Sequence, residues 1–311
     1  MSSMPDSKTL PSIIKEIGRG TKGARDLSSE HAEALFADML AARVPDLELG
    51  AILLSLRIKG ESDDELVGFC RAMQATTRQI APTQRPLIVL PSYNGMRRQP
   101  NLLPLLALML RDAGFAVLIH GRHDFDNRAN PFPLFHACDI ASATSLAMIN
   151  QQLATTGIAL SDIELLNPEL NRLLSLRARL GVRNSAHTLC KLLDPCQGHS
   201  IRVVNVTHPE YLVRMSALLQ AQGATALLMR GTEGEPFANP RRRPELMGFK
   251  KGEPVSLFPA EEGGTVPIAG WPETADFAQN LELIQTLHKT PETIPQPLVD
   301  QVSALKALAA A

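Results

Sequence analysis

The 311-residue sequence is poor in most of the features that assign a protein to a class at sight. It has four cysteines, Cys70, Cys138, Cys190 and Cys196, none in a CxxC spacing. That excludes a disulfide-built scaffold and leaves thiols in a reducing compartment. Its eight histidines form no HExxH or other paired-ligand pattern, so no metal site is expected. No stretch reaches the ~18 uninterrupted apolar residues of a membrane span. The opening "MSSMPDSKTLPSIIKEIG" holds no apolar run of signal-peptide length, and the expected location is the cytoplasm. Aromatic residues make up only 4%, too few for base stacking to be the main grip on a nucleic acid. The net charge is −1, which excludes a globally basic protein. Any binding of a polyanion must come from local clustering.

The hydrophobic content, 44%, is that of a folded chain long enough for two domains. Residues 10–78 read as helices throughout. "LSSEHAEALFADMLAARV" places Leu35, Phe36, Met39 and Leu40 on one helical face behind a serine-rich cap. "DLELGAILLSLRIKG" is a second helix ended by Gly60, and Ser62 with Glu65 forms a capping box for a third. After a Pro-rich boundary at 81–86 the pattern changes. "LIVL" is a strand, "LLPLLALMLRDAG" a helix and "AVLIHG" a strand. "IRVVNV", the helix around "PEYLVRMSALLQAQG" and "ATALLM" repeat that unit, the signature of a parallel sheet. Residues 164–195 are helical again, and "PQPLVDQVSALKALAAA" is a closing helix.

Residues 27–73 closely resemble the N-terminal helices of the anthranilate phosphoribosyltransferase family. "RLGVRNSAHTLCKLLDP" is similar to that family's RELGVRTIFNLLGPLTNP segment. The resemblance implies an α/β protein with a small all-helical domain (residues 1–80 and 164–195) that dimerises. It implies a larger domain (81–163 and 196–311) with a mostly parallel central sheet. The catalytic motifs depart from the pattern. The family cradles phosphoribosyl pyrophosphate in a GTGGD loop, where bare backbone N–H groups approach the phosphates. Here that position reads "PSYNG", residues 91–95, and Pro91 has no N–H. Asn101, further along, does match an enzyme residue. KHGN reads "IHGR", keeping His120 and Gly121 but with Ile119 for the lysine. Cys190-Lys191 replaces a Gly-Pro pair. The magnesium-holding acids of HGxxGxDE are replaced by Pro236-Phe237 in "RGTEGEPF". Three losses together remove the electrostatic machinery of the transfer. The altered pattern resembles the non-enzymatic, YbiB-like branch, which implies sequence-independent nucleic-acid binding by a homodimer, without catalytic residues, cofactor or membrane association.

The cations are distributed in keeping with that resemblance. Arg172, Arg177, Arg179, Arg183 and Lys191 lie within twenty residues that contain no acid. Arg183, His187 and Lys191 are spaced as one helical stripe, and Arg172 and Arg179 as one face of the helix before it. "NPRRRPELMGFKK", residues 239–251, holds Arg241, Arg242 and Arg243 between prolines. It reads as an extended exposed segment with Glu245 the only local acid, placed near a cleft with Arg230. Arg97 and Arg98 stand in the former phosphate loop, and Arg122 and His123 at the former KHGN site. Tyr93, Phe125 and Phe249, the aromatics near these clusters, read as local packing. Solvated surface charge remains an alternative for each cluster. Two other functions stay open, an active phosphoribosyltransferase and a protein-interaction module that keeps only the fold.

Overall fold

The computed structural model describes residues 9–20, 22–122, 128–196, 199–274 and 276–310. Helices α1 (Leu10–Ile17), α2 (Ser29–Leu40), α3 (Asp46–Lys59) and α4 (Asp63–Thr76) come first. Strand β1 (Leu87–Ser92), helix α5 (Leu103–Asp112) and strand β2 (Ala116–Gly121) follow. Next are α6 (Phe132–Ala137), α7 (Leu146–Thr155), β3 (Ile158–Asp162) and α8 (Ile163–Leu166). A helical stretch of α9 (Pro168–Ser175), α10 (Arg177–Leu180) and α11 (Ala186–Leu189) leads to β4 (Ser200–Val206), α12 (Glu210–Ala221) and β5 (Ala226–Arg230). The chain closes with β6 (Leu246–Lys250), β7 (Glu253–Phe258), α13 (Phe277–Lys289) and α14 (Gln296–Ala309).

Chain contacts divide these elements into two units. The first comprises Met1–Arg78 with Leu166–Pro195, the second Gln79–Leu165 with Cys196–Ala311. In the helical unit α2 packs on α4. Phe36 and Phe69 meet with ring centroids 4.9 Å apart. The backbones approach so closely that a Cβ on Gly68 would stand 2.2 Å from the Ser29 carbonyl oxygen. The capping box of α4 forms as its sequence dictates. Glu65 N–H donates to Ser62 Oγ at 3.2 Å, and Glu65 Oε2 accepts from Ser62 N–H at 2.7 Å. Glu65 does more than cap. It is fully buried, accepts from Leu27 N–H and pairs with Lys59 Nζ at 2.7 Å. Burial pushes the Lys59 ammonium pKa down, but Asp26 and Glu65 more than offset that, and it ends above its ordinary value.

The α/β unit is built on a seven-stranded sheet in the order β3-β2-β1-β4-β5-β6-β7. Its first five strands pair parallel, and β5–β6 and β6–β7 pair antiparallel. The mostly parallel sheet read from the sequence is present. Strands β3, β6 and β7 are additions to that reading. Strand β1 is buried along its whole length, and it continues through Pro91 because its register with β4 ends at Val89 while its pairing with β2 runs to Ser92. A missing N–H is harmless on the side where no partner strand remains. Helices α5, α13 and α14 supply Leu106, Ile284 and Leu305 to the core on the sheet. Asn101, just before α5, and Asn280, in the first turn of α13, cross-bond: Asn101 N–H donates to the Asn280 side-chain oxygen, and Asn280 Nδ2 donates to the Asn101 carbonyl.

Removing Glu65 would leave the largely buried Lys59 ammonium with the exposed Asp26 alone and strip the acceptor from the Leu27 and Ser62 N–H groups. Glu65→Ala should therefore lower unfolding free energy by roughly 3–5 kcal/mol in urea titrations. A loss comparable to that of an exposed cap would show that the Lys59 contact contributes little.

Candidate anion-binding site

In a doubly wound sheet, ligands sit outside the carboxyl ends of the strands where the strand order reverses. Here that place lies between β1 and β4, whose pairing stops at Val89. It is filled by the chain itself. After β5, residues Thr232–Glu235 make a tight turn, with Glu235 N–H donating to the Thr232 carbonyl at 2.9 Å. The turn's two central residues, Glu233 (φ +49) and Gly234 (φ +91), are both left-handed. Gly234 must be glycine. A Cβ there would fall 1.6 Å from Asn94 Nδ2. Glu233 has no such freedom, and its backbone costs about 1 kcal/mol or more.

The turn directs two carboxylates at the loop that follows β1. Glu235 Oε1 accepts the N–H groups of Asn94 (2.9 Å) and Gly95 (2.8 Å), while its Oε2 accepts from Ser92 Oγ. Glu233 Oε2 and Oε1 accept the N–H groups of Arg97 and Arg98, each at 3.0 Å. Four backbone donors of the loop after β1 thus have intramolecular acceptors. Asn94 Nδ2 donates to the Glu233 carbonyl, Asn205 of β4 donates to the Gly234 carbonyl, and Arg128 reaches the Gly95 carbonyl at 3.2 Å. The family pattern called for acids at Pro236-Phe237. The structure has Glu233 and Glu235 just before them, engaged with backbone. Among the described residues no three His, Cys, Asp or Glu side chains converge as metal ligands, and this donor set does not fit magnesium.

Beneath the loop, Tyr93 Oη lies 2.7 Å from His120 Nδ1, and both side chains are buried. Burial pushes the His120 pKa down to about 3, so the imidazole is neutral. Its Nε2 has no hydrogen-bond partner among the described residues.

The anticipated cations fall into two sets, one per unit. In the α/β unit Arg97, Arg98, Arg230 and Arg242 are exposed, and Arg122 is half-buried at the end of β2. Arg230, Arg242 and Arg243 line a cavity of about 530 Å³ together with Glu233, Asn239 and Glu245. The segment 241–243 corrects the sequence expectation. It is a turn, and Arg241 and Arg243 are half-buried. The partners are not Glu245. Arg243 pairs with Asp300 of α14 and Glu261, donates to the Pro259 carbonyl, and stands 5.3 Å from the centre of the Phe258 ring. Arg242 Nε donates to the Glu261 carbonyl at 3.0 Å. The rest of the cationic run is a hairpin. Lys250 ends β6, and Lys251 (φ +50) with Gly252 (φ +87) turns the chain into β7. His123 and Phe125 lie outside the described residues.

In the helical unit the expected stripe of Arg183, His187 and Lys191 is not one helix. Arg183 precedes α11, and Lys191 lies in a 3-10 turn beyond it. The two still share a neighbourhood, since both act on the Cys190 thiol. Burial outweighs them and pushes its pKa up to about 12. Arg172 is half-buried, and its guanidinium holds the Met39 and Leu40 carbonyls at the end of α2. Arg179 is exposed and ion-pairs with Asp46 at 3.1 Å, and Arg177 is half-buried. The face expected to join Arg172 to Arg179 is interrupted at Leu176, between α9 and α10.

With this geometry established, similarity to known proteins places the chain. Residues 11–77 match the helical bundle domain of the glycosyl transferase family. The uncharacterized protein YbiB of Escherichia coli (strain K12) is 40% identical over 294 residues, covering 94% of this chain and 91% of YbiB. Anthranilate phosphoribosyltransferase of Thermus thermophilus is 27% identical over 238 residues, 76% of this chain and 71% of that enzyme. A crystal structure of anthranilate phosphoribosyltransferase from Thermus thermophilus superposes with a TM-score of 0.72 at 24% identity, over 93% of this chain and 85% of that one. The last comparison bears on the fold alone.

A neutral buried imidazole binds fewer protons than the unfolded chain between its ordinary 6.5 and its folded value near 3. Stability must therefore fall as pH drops through that window. From pH 7 to pH 5 the wild type should lose about 2 kcal/mol more than His120→Gln in urea unfolding. Equal losses would place the titration elsewhere.

Proposed function

Because the chain belongs to the anthranilate phosphoribosyltransferase-like family, we propose that it uses this scaffold to bind the phosphate backbone of nucleic acids, without regard to sequence, rather than to transfer a phosphoribosyl group. One observation carries the reading. The four backbone donors that would face a pyrophosphate have carboxylates on them, while arginine side chains on the same unit face solvent. A loop in that state repels a small phosphate ester and lacks metal-ready acids. Exposed Arg97, Arg98, Arg230 and Arg242 keep a long-range attraction for phosphates that needs no bare backbone. The exposed Arg179 of the helical unit is a further candidate contact, whereas Arg172 serves the end of α2.

The partner on the helical unit is proposed to be a second copy. Helix α3 is apolar on two faces. Leu49, Ile52, Leu53 and Leu56 are buried. Leu47, Leu54 and Ile58 are 82%, 46% and 56% exposed and lie at i, i+7 and i+11, with Ala51 between them on the same stripe. Such a stripe on a helix is self-complementary about a two-fold axis.

Fluorescence anisotropy with unrelated DNA and RNA oligonucleotides tests the binding. Affinity should fall by about a thousandfold between roughly 50 and 200 mM salt if some six phosphates are contacted. Alanine at Arg97, Arg98, Arg230 and Arg242 should weaken every sequence alike and lower the salt slope by about one for each phosphate no longer neutralised. No binding at low salt, or turnover of phosphoribosyl pyrophosphate with an aromatic amine, would reverse the assignment in favour of an enzyme. In sedimentation, the wild type should run as a dimer and Leu54→Glu/Ile58→Glu as a folded monomer. A monomeric wild type removes the α3 interface.

A further inference from the structure

We propose that Glu233 and Glu235 are a built-in anion, standing where a diffusible phosphoryl group would sit and closing a latent site for pyrophosphate-class anions. The inference deepens the proposed function at the same loop and rests on the same carboxylate contacts, while its test reads pyrophosphate and not nucleic acid. Backbone N–H groups converging from successive residues form an anion-binding concavity whatever anion fills it. Two such pairs are present, Asn94 with Gly95 on Glu235 and Arg97 with Arg98 on Glu233, separated by Met96, whose N–H bonds the Ala129 carbonyl; all four point at carboxylate oxygens 2.8 to 3.0 Å away.

The surroundings are built for the plug. Gly231 and Gly234 allow contacts that a side chain would forbid. A Cβ on Gly231 would lie 2.2 Å from the Glu235 carbonyl oxygen. Gly95, at φ +64, is itself pressed 2.7 Å (from an ideal Cβ) against the Ala129 carbonyl oxygen. Arg128 ties the two loops together through the Gly95 and Glu233 carbonyls. Removing the carboxylates leaves two pairs of unpaired backbone donors, with two negative charges fewer.

Calorimetry with inorganic pyrophosphate, without metal, on the full chain tests this. Glu233→Ala/Glu235→Ala should bind pyrophosphate about tenfold or more tightly than the wild type, the effect of regaining one or more charge-assisted hydrogen bonds. A folded double variant that binds no better than the wild type overturns the proposal, as does a wild type that already binds equally well. Glu235 is buried against Ser92, so Glu233→Ala alone is the companion variant. It uncovers only the Arg97 and Arg98 N–H groups at a half-buried position. Pyrophosphate should shift those two amide resonances in Glu233→Ala and not in the wild type. Unmoved amides in that variant would likewise refute the plug.

Discussion

The clamp between two carboxylates and four backbone N–H groups determines the character of the α/β unit. It joins the loop after β1 to the turn after β5 at the point where the sheet reverses its strand order. Each bond is ordinary in length. Their collective effect is that the sheet's natural ligand crevice holds protein. The departures from the enzyme pattern become mutually consistent in this light. Ser92 donates its hydroxyl to Glu235. Tyr93 drops into the interior and meets His120. Asn94 uses its side chain to grip the Glu233 carbonyl. Residues that look like decay when compared one at a time form a single packed cluster.

The arginines divide along the same line. Those whose guanidinium groups bond within the chain, Arg172 on the end of α2 and Arg243 between Asp300 and Glu261, act as cross-ties. Arg97, Arg98 and Arg230 face solvent in the α/β unit, as does Arg242 apart from its Nε bond to the Glu261 carbonyl. Arg97 and Arg98 are the instructive pair. Their backbones are fixed by Glu233 while their side chains are exposed, so the acid that closes the crevice also orders the segment carrying the cations.

Much of the fold was legible because it rests on local rules. The capping box at Ser62, the apolar face of α2 and the strand–helix–strand units follow from spacing alone. Strand β6 was hidden because its sequence, "LMGFK", sits inside a run noticed for its charge, with a glycine in the middle. Gly248 is there for closeness, since a Cβ would come within 2.8 Å of Leu257 and Leu308 side chains. The stripe of Arg183 and Lys191 failed because Gly181 and Asn184 precede a helix of only four residues, too short to carry that period. Arg243 looked unpaired because its acids, Asp300 and Glu261, are distant in sequence. Glu233 and Glu235 left one trace, two acids flanking a glycine directly after a strand. Their targets, around 140 positions earlier, could not be read without the fold.

That separation has a consequence for how the chain is made. Ser92 and Glu235 are 143 residues apart, so the loop after β1 leaves the ribosome long before its counter-charge exists. Early in synthesis its amides have only water to bond, and β1 waits with one edge uncovered until β4 arrives. Pairings of such long range are slow to form. Vectorial synthesis therefore leaves the crevice open until residues 233–235 have emerged, and an emerging chain truncated before residue 233 would display the open loop that the finished molecule conceals.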